Sequence, residues 1–292
     1  MKKLNYILCI ITVVCTTACS DFLDVQPKTE IREDKMFENE SGFKEALIGC
    51  YMLMGDGTLY GKNLTVCLLD AMGGLYEMET SNSYYRASLH DYDLTEGTFS
   101  NVWLKQYNLI ANVNALLGMI EEKGEVVMHP TNYAIIKGEA LGLRAFLHFD
   151  LLRMFGWGDL KRHPENLDRL TIPYVLRYHK STTKQSTERE VLELIHADLN
   201  EAEKLLAYYD SYGPESKDES YELPNADGFY KNRRNHLNYY AVRALQARVY
   251  MWEGNYQEAL KCVDPLFTKD NVISWVNADA SINVEEKERD LS

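Results

Sequence analysis

The segment from Gly138 to Asp159 constrains the fold most strongly, because its apolar residues repeat at helical spacing around more than half of the circumference. Two adjacent stripes are formed by Ile136, Ala140, Leu143, Leu147, Leu151 and Met154, and by Leu141, Ala145, Phe149 and Leu152. Such a helix must be surrounded by other helices. We therefore predict a central helix that ends near Phe155, with Gly156 and Gly158 providing left-handed conformations at its end.

The few charged residues of this helix are spaced for partners inside the protein. Arg144 lies one turn before His148, and Asp150 lies three residues before Arg153. His148 and Asp150 are two residues apart and therefore point to different faces of a helix, so they do not indicate a catalytic pair.

The same segment closely resembles the signature helix of the SusD/RagB family of outer-membrane nutrient-binding lipoproteins. The resemblance is carried by Glu139, Ala140, Leu141, Leu143, Arg144, Ala145, Phe146, Phe149, Asp150, Leu151, Arg153, Phe155 and Gly156. Members of that family are helical proteins with tetratricopeptide-like units that capture glycans or other nutrients and cover a TonB-dependent transporter. The resemblance implies a SusC-like transporter and an oligosaccharide or other nutrient as partners.

Two further stretches fit the family. The sequence C-S-D-F-L-D-V-Q-P-K, from Cys19 to Lys28, is similar to the start of the mature chain in its members. A second helix carries Trp103, Tyr107, Ile110 and Asn114 at the family's spacing. We expect Asn114 to be a buried hydrogen-bonding residue more readily than a ligand contact.

Residues 1–18 have the features of an export signal. Lys2 and Lys3 precede the apolar run from Leu4 to Ala18, which is too short for a comfortable membrane span. Small residues before Cys19 resemble a lipoprotein cleavage site, although Thr16 stands where a leucine is usual. We predict a signal peptide at 1–18, lipidation of Cys19, a tether at 19–40 and a membrane attachment through lipid. An ordinary secretory signal with an unmodified Cys19 is the alternative.

The formal net charge of -13 argues against nucleic acid as a partner, because an acidic surface repels phosphate. Three cysteines remain after residues 1–19, namely Cys50, Cys67 and Cys262. An odd number argues against a disulfide framework and favours small buried apolar residues, although a bridge between Cys50 and Cys67 is possible.

Other helices are predicted along the chain. One begins with Ser41 as N-cap and ends at Gly55, one runs from Phe99 to Gly124, and one spans 188–206 behind a capping box of Thr187 and Glu190. Irregular connections are expected at 55–98, except for helical periodicity around Leu64 to Met72, and at 156–186 and 208–235.

The last helices have tetratricopeptide spacing, carried by Ala247, Tyr250, Gly254, Tyr256, Ala259 and Val263. We expect a helix pair joined at Gly254 and Asn255. Arg243 departs from the pattern, where a tryptophan would be expected, and Pro265 is predicted to end the second helix early. The fold class is thus all-α, with tetratricopeptide-like helix pairs and long irregular loops. Because family members continue well beyond this length, residues 41–292 are interpreted as an incomplete N-terminal helical domain.

No catalytic motif is present in the sequence, which has no H-E-x-x-H, C-x-x-C, G-x-S-x-G or phosphate-binding glycine loop. We therefore predict no enzyme activity, no metal site and no cofactor. A secreted hydrolase stays as a weaker hypothesis, because any chain with 44 acidic residues can offer a pair of carboxylates.

Twenty tyrosines and four tryptophans provide rings that can stack on the apolar face of a sugar. Aromatic and hydrogen-bonding residues are concentrated between Thr80 and Trp103, where a long loop leads into a helix. The predicted ligand-binding residues are Tyr84, Tyr85, Arg86, Tyr92, Asn101 and Trp103, with His90 beside them. The alternative for each tyrosine is that it caps the core with its hydroxyl in water.

The sequence thus favours a surface-exposed lipoprotein of the outer membrane that binds a glycan or other nutrient and delivers it to a TonB-dependent transporter. A tetratricopeptide-type protein-interaction lipoprotein without glycan binding is the alternative.

Overall fold

The computed structural model of this protein describes residues 33–210, 212–213, 228–230 and 233–268, except for the side chains of 33–34, 94–96, 265 and 268. Residues 1–38 and 39–292 are separate compact units. The described part of the first unit contains α1, Glu33–Met36. The predicted signal peptide and Cys19 lie outside the described residues. So do most of the predicted tether at 19–40 and most of the irregular connection predicted at 208–235.

The second unit is helical. Its helices are α2 (Glu40–Met54), α3 (Leu68–Met72), α4 (Tyr85–Ser88), α5 (Tyr92–Met119), α6 (Glu125–Val127), α7 (Pro130–Phe155), α8 (Glu188–Tyr209), α9 (Tyr239–Trp252) and α10 (Tyr256–Thr268). A π-helical turn at Ile120–Gly124 joins α5 to α6, and a 3-10 helix spans Pro164–Asp168. In the described part of the chain the only β-pairing is an isolated bridge between Leu170 and Thr187. The predicted all-α class is confirmed.

Helix α7 is the centre of this unit, as predicted. Of its 26 residues, 17 are buried, and it packs against α2, α5, α8 and α9. Pro130 occupies its first turn, where a missing N–H costs nothing, and the ring of His129 accepts a hydrogen bond from the Thr131 N–H. The Leu237 side chain lies directly against Gly142 of α7. A Cβ at position 142 would overlap Leu237, so glycine is needed at this position.

The predicted end of α7 at Phe155 is confirmed, but the predicted left-handed glycines are wrong. Gly156 has φ -96° and ψ -164°, which is extended backbone, and its N–H donates to the Leu152 carbonyl at 2.8 Å. Glycine is needed there for space, since a Cβ would lie 2.8 Å from the Glu188 Oε2. The left-handed residue of this turn is Asp159, with φ 59°.

Two other helix starts differ from the prediction. Helix α2 begins at Glu40, and Asn39 rather than Ser41 is its N-cap, accepting from the Gly42 N–H. Helix α5 begins at Tyr92 rather than Phe99, and α4 interrupts the loop predicted as irregular. Residues 92–98 contain Leu94 as their only aliphatic residue, so hydrophobic periodicity could not reveal the first turns of α5.

The capping box of α8 is confirmed on both sides. The Thr187 N–H donates to Glu190 Oε2 at 2.8 Å, and the Glu190 N–H donates to Thr187 Oγ1 at 3.3 Å. The helix continues to Tyr209, three residues beyond its predicted end.

The tetratricopeptide-like pair is confirmed in α9 and α10. Ala247, Ala259 and Cys262 pack together at the interface, with Tyr250 and Val263 against them. Gly254 lies in the left-handed region with φ +75° between the two helices.

Pro265 does not end α10, which continues to Thr268. Proline has no N–H to donate to the carbonyl four residues earlier, which is that of Lys261. The guanidinium of Arg243 instead donates to the Lys261 carbonyl at 2.8 Å and to the Cys262 carbonyl at 3.3 Å. The residue that departs from the tetratricopeptide pattern therefore compensates for the proline.

The three cysteines of the described region are free thiols. Cys50 and Cys262 are buried and Cys67 is partly buried, so the predicted role as small apolar residues is confirmed for two of them. Burial raises the pKa of the Cys50 thiol to about 12.

A buried polar network secures the extended segment around Tyr174 against α7 and α8. Arg144 donates two hydrogen bonds of 2.7 Å to Asp198, and the Tyr174 hydroxyl donates to the same carboxylate at 2.6 Å. Asn114 accepts from Arg144 and donates to the Val175 carbonyl. Asn114 is therefore buried and structural, as predicted.

His148 belongs to the same network and is held in one tautomer. Its Nε2 accepts from the Val175 N–H at 3.0 Å, so the proton is on Nδ1, which donates to the Arg144 carbonyl at 2.8 Å. Burial lowers the pKa of His148 from 6.5 to about 3, partly offset by the hydrogen bond to Arg144.

This depressed pKa predicts a loss of stability in acid. The folded state favours the neutral form of His148. The contribution of His148 to the free energy of unfolding is therefore complete above pH 6.5 and is lost as the pH falls from 6.5 towards 3. In urea titrations between pH 7 and pH 4, His148→Gln should reduce the slope of unfolding free energy against pH by up to about 1.4 kcal/mol per pH unit. His179→Gln, at an exposed histidine, is the control. Equal slopes for the wild type and His148→Gln would contradict this account.

Candidate functional site

The first three predicted site residues lie at and just before α4. Tyr84 is partly buried, and its hydroxyl donates to Asn63 Oδ1 at 2.7 Å while Lys62 Nζ lies 5.5 Å from its ring centroid. Tyr85 is partly buried at the first position of α4. Arg86 is exposed and forms an ion pair of 3.5 Å with Asp91.

The other three lie on α5. Tyr92 begins the helix with 53% of its surface exposed, and its ring meets that of Phe99 at 5.6 Å. The ring of Trp103 is partly buried, 5.0 Å from Phe155 and 4.8 Å from Tyr107. Asn101 is exposed and lies two residues before Trp103, so it projects from a different side of α5.

Tyr92 and Trp103 line one surface pocket of about 570 Å³, which we call the aromatic pocket. Helix α5 contributes Tyr92, Phe99, Ser100, Trp103 and Leu104 to its wall. The opposite wall is formed by Met72 at the end of α3 and by Met154 and Phe155 at the end of α7. The structure therefore brings two of the six predicted residues together, while Tyr84, Tyr85, Arg86 and Asn101 lie outside this lining.

Sequence analysis did not identify the remaining residues of the pocket. Phe99 lies four residues before Trp103, and this spacing could have suggested a shared face of the helix. Met72, Met154 and Phe155 carry no such signal, because only the packing of α3 and α7 against α5 brings them to the site.

The wall of the aromatic pocket is formed mainly by apolar side chains. Among its described lining residues the side-chain polar groups are the Ser100 and Tyr92 hydroxyls and the Trp103 indole N–H, and no carboxylate, imidazole or amine is present. The rings of Trp103 and Phe155 meet edge-on at an interplanar angle of 88°, an arrangement that aromatic pairs prefer.

A smaller cavity of about 220 Å³ lies between α8 and the turn that follows α9. His196 Nε2 and Glu253 Oε2 are 3.0 Å apart at its wall, and the His196 ring lies 4.6 Å from that of Tyr250. Within the described ranges, no three His, Cys, Asp or Glu side chains are placed to hold a metal ion. No helix in these ranges is both long and apolar enough to span a membrane.

An all-α fold with a tetratricopeptide-like pair and an open aromatic pocket defines a helical protein with an aromatic pocket at its surface. Residues 21–217, well over half of the chain, match the SusD-like_3 family, described as "Starch-binding associating with outer membrane". The chain therefore belongs to the SusD-like family.

Two curated relatives from Formosa agariphila are similar to this chain. SusD-like protein P25 is 23% identical over 274 residues, which cover 90% of this chain and 46% of the relative. SusD-like protein P2 is 24% identical over 212 residues, covering 70% of this chain and 38% of the relative. The chain thus spans about half the length of the curated relatives it matches.

Solved structures share the fold. A SusD superfamily protein from Bacteroides vulgatus aligns with a TM-score of 0.61 at 21% identity, over 78% of this chain and 46% of the other. A laminarin-binding SusD-like protein aligns with a TM-score of 0.54 at 20% identity, over 78% and 43% of the two chains.

Proposed function

We propose that this protein is a glycan-binding lipoprotein of the outer membrane that delivers its ligand to a SusC-like TonB-dependent transporter. The observation that carries the proposal is the family match over residues 21–217, whose description combines starch binding with the outer membrane. The laminarin-binding neighbour supports a glycan as ligand. The protein acts by binding and not by catalysis.

The proposed binding region comprises Tyr84, Tyr85, Arg86, Tyr92, Asn101 and Trp103, of which Tyr92 and Trp103 line the aromatic pocket. Arg86 and Asn101 are exposed donors, and Tyr92 and Trp103 present rings at an open pocket. Sugars offer an apolar C–H face with a rim of hydroxyls, which rings and flanking donors complement. The rigid α5 supports three of these residues, which limits the entropy lost on binding.

We expect the combined change of Tyr84, Tyr85 and Arg86 to Ala to weaken polysaccharide binding by at least about tenfold, because ring surface and a donor are removed together. Affinity electrophoresis against a polysaccharide panel measures the effect. A matched control replaces Tyr178, Tyr256 and Arg162, which are exposed on other elements, by Ala.

The helical circular dichroism signal should be retained in both variants, since none of the six side chains is fully buried. Unchanged retardation of the first variant on a polysaccharide that retards the wild type would place the glycan elsewhere.

Lipid attachment through Cys19 is the proposed anchor. We expect Cys19→Ala to lose incorporation of a palmitate analogue and to leave the membrane fraction, because an acyl chain contributes about 0.8 kcal/mol per buried methylene. Cys67→Ala, at a partly buried thiol, is the control that should still be labelled. Equal labelling of Cys19→Ala and wild type would refute the anchor.

The α9–α10 pair favours one further candidate, a protein-interaction lipoprotein without glycan binding. A chain that binds its transporter partner but no polysaccharide of the panel would support this alternative.

A further inference from the structure

We infer that the aromatic pocket receives a sugar residue whose hydroxyls carry ester-linked acyl groups. This inference rests on the proposed glycan binding and specifies the class of glycan. It follows from the size of the pocket, the scarcity of polar groups in its wall and the kinds of apolar atoms that form it.

The volume of about 570 Å³ lies within the range of roughly 300–1,000 Å³ that is usual for small-molecule sites. The pocket is therefore large enough for a whole substituted sugar residue. It is also accessible, because Leu104 on one wall is 65% exposed and Tyr92 is 53% exposed. More than half of the surface of Leu104 and Tyr92 is therefore open to contact with a ligand.

The polar groups of the pocket do not match an unsubstituted sugar. A hexose residue in a chain carries several free hydroxyls, each of which needs a hydrogen-bond partner when it is removed from water. The side chains of the described wall offer three hydrogen-bonding groups, the hydroxyls of Ser100 and Tyr92 and the indole N–H of Trp103. An unsubstituted residue would therefore leave without a partner those of its hydroxyls that face the apolar part of this wall.

Acylation removes this mismatch. An ester replaces the hydroxyl donor by an acceptor and adds apolar surface, and the two available hydroxyls can donate to ester carbonyls. The rest of the wall consists of aromatic rings, two methionines and a leucine. The unbranched thioether side chains of Met72 and Met154 adapt to groups of irregular shape, which suits a residue bearing acyl groups at several positions.

The test compares two probes that differ only in acylation. Saturation-transfer NMR is recorded on the protein with methyl tetra-O-acetyl-glucopyranoside and with methyl glucopyranoside. We expect transfer of saturation from the protein to the acetyl methyl groups of the acetylated probe. We also expect its dissociation constant to be lower than that of methyl glucopyranoside, by about fourfold for each methyl group that becomes buried.

A variant at the pocket identifies where the probe binds. Leu104→Gln should weaken binding of the acetylated probe by about fivefold, because it removes apolar surface from the wall. Leu260→Gln is the matched control, since Leu260 is 64% exposed on α10, away from the pocket. Both positions are exposed, so neither change should disturb folding.

Equal binding of the two probes, absence of acetyl saturation, or equal binding to Leu104→Gln and wild type would each overturn the inference. If the polysaccharide panel still shows retardation in those cases, the proposed glycan binding stands without the preference for acyl groups. If no polysaccharide is retarded in acylated or alkali-treated form, the proposed function itself fails.

Discussion

Leu147→Asp is expected to abolish the cooperative folding of the helical unit. Leu147 is fully buried in the middle of α7, where its backbone carbonyl accepts a hydrogen bond from Gln106. Loss of the leucine contacts costs about 2–5 kcal/mol, and an unpaired buried carboxylate adds several kcal/mol. Together these terms approach the whole stability of an ordinary domain, about 5–15 kcal/mol.

Far-UV circular dichroism during thermal unfolding measures this effect. Val126→Asp is the control, because Val126 is 90% exposed and an aspartate introduced there remains in water. The control should keep the helical spectrum and melt near the wild-type temperature. A Leu147→Asp chain that melts like the wild type would show that α7 is not the centre of the fold.

The second large effect is expected at a buried ionic cluster around Arg233. Its guanidinium donates to Glu139 at 2.6 Å and to Asp210 at 3.1 Å, and all three side chains are fully buried. The Tyr51 hydroxyl also donates to Glu139, and the His236 ring lies 2.7 Å from the same carboxylate. Burial alone would raise the pKa of Glu139, but Arg233, His236 and Tyr51 together keep it below its ordinary value.

Arg233→Ala should destabilise the protein by about 3–5 kcal/mol, because Glu139 and Asp210 would remain buried without their shared cation. Urea unfolding at pH 7 gives the free energy. Arg162→Ala is the matched control, since Arg162 is 82% exposed in its ion pair with Asp159 and exposed ion pairs contribute little to stability.

A loss at Arg233→Ala no larger than that at Arg162→Ala would show that the cluster is not a major source of stability. The double change of Arg233 to Met and Glu139 to Gln provides a further comparison. It leaves one buried carboxylate without its cation, that of Asp210, whereas Arg233→Ala leaves two, so we expect it to cost less than Arg233→Ala.

Local sequence patterns predicted the parts of this fold that depend on neighbouring residues. The capping box of Thr187 and Glu190 was correct because both of its hydrogen bonds span three residues. The core position of Leu147 was correct because helical spacing alone assigns it to the apolar stripe. The link between α9 and α10 followed from Gly254, whose φ of +75° suits glycine.

Errors occurred where the local pattern allowed more than one outcome. Asn39 and Ser41 are both good N-caps, and hydrogen bonding in the folded chain selected Asn39. Pro265 should stop a helix by its own chemistry, yet Arg243 from a different helix binds the carbonyl that the proline leaves free.

The sequence by itself thus determined the helical class, the central helix and the family resemblance, since these are recorded in short-range spacing. The tertiary structure alone decided which distant residues meet. Glu139 and Arg233 are 94 positions apart, and no periodicity relates them. The aromatic pocket likewise exists only because α3 and the end of α7 pack beside α5, which places Met72 and Phe155 opposite Trp103.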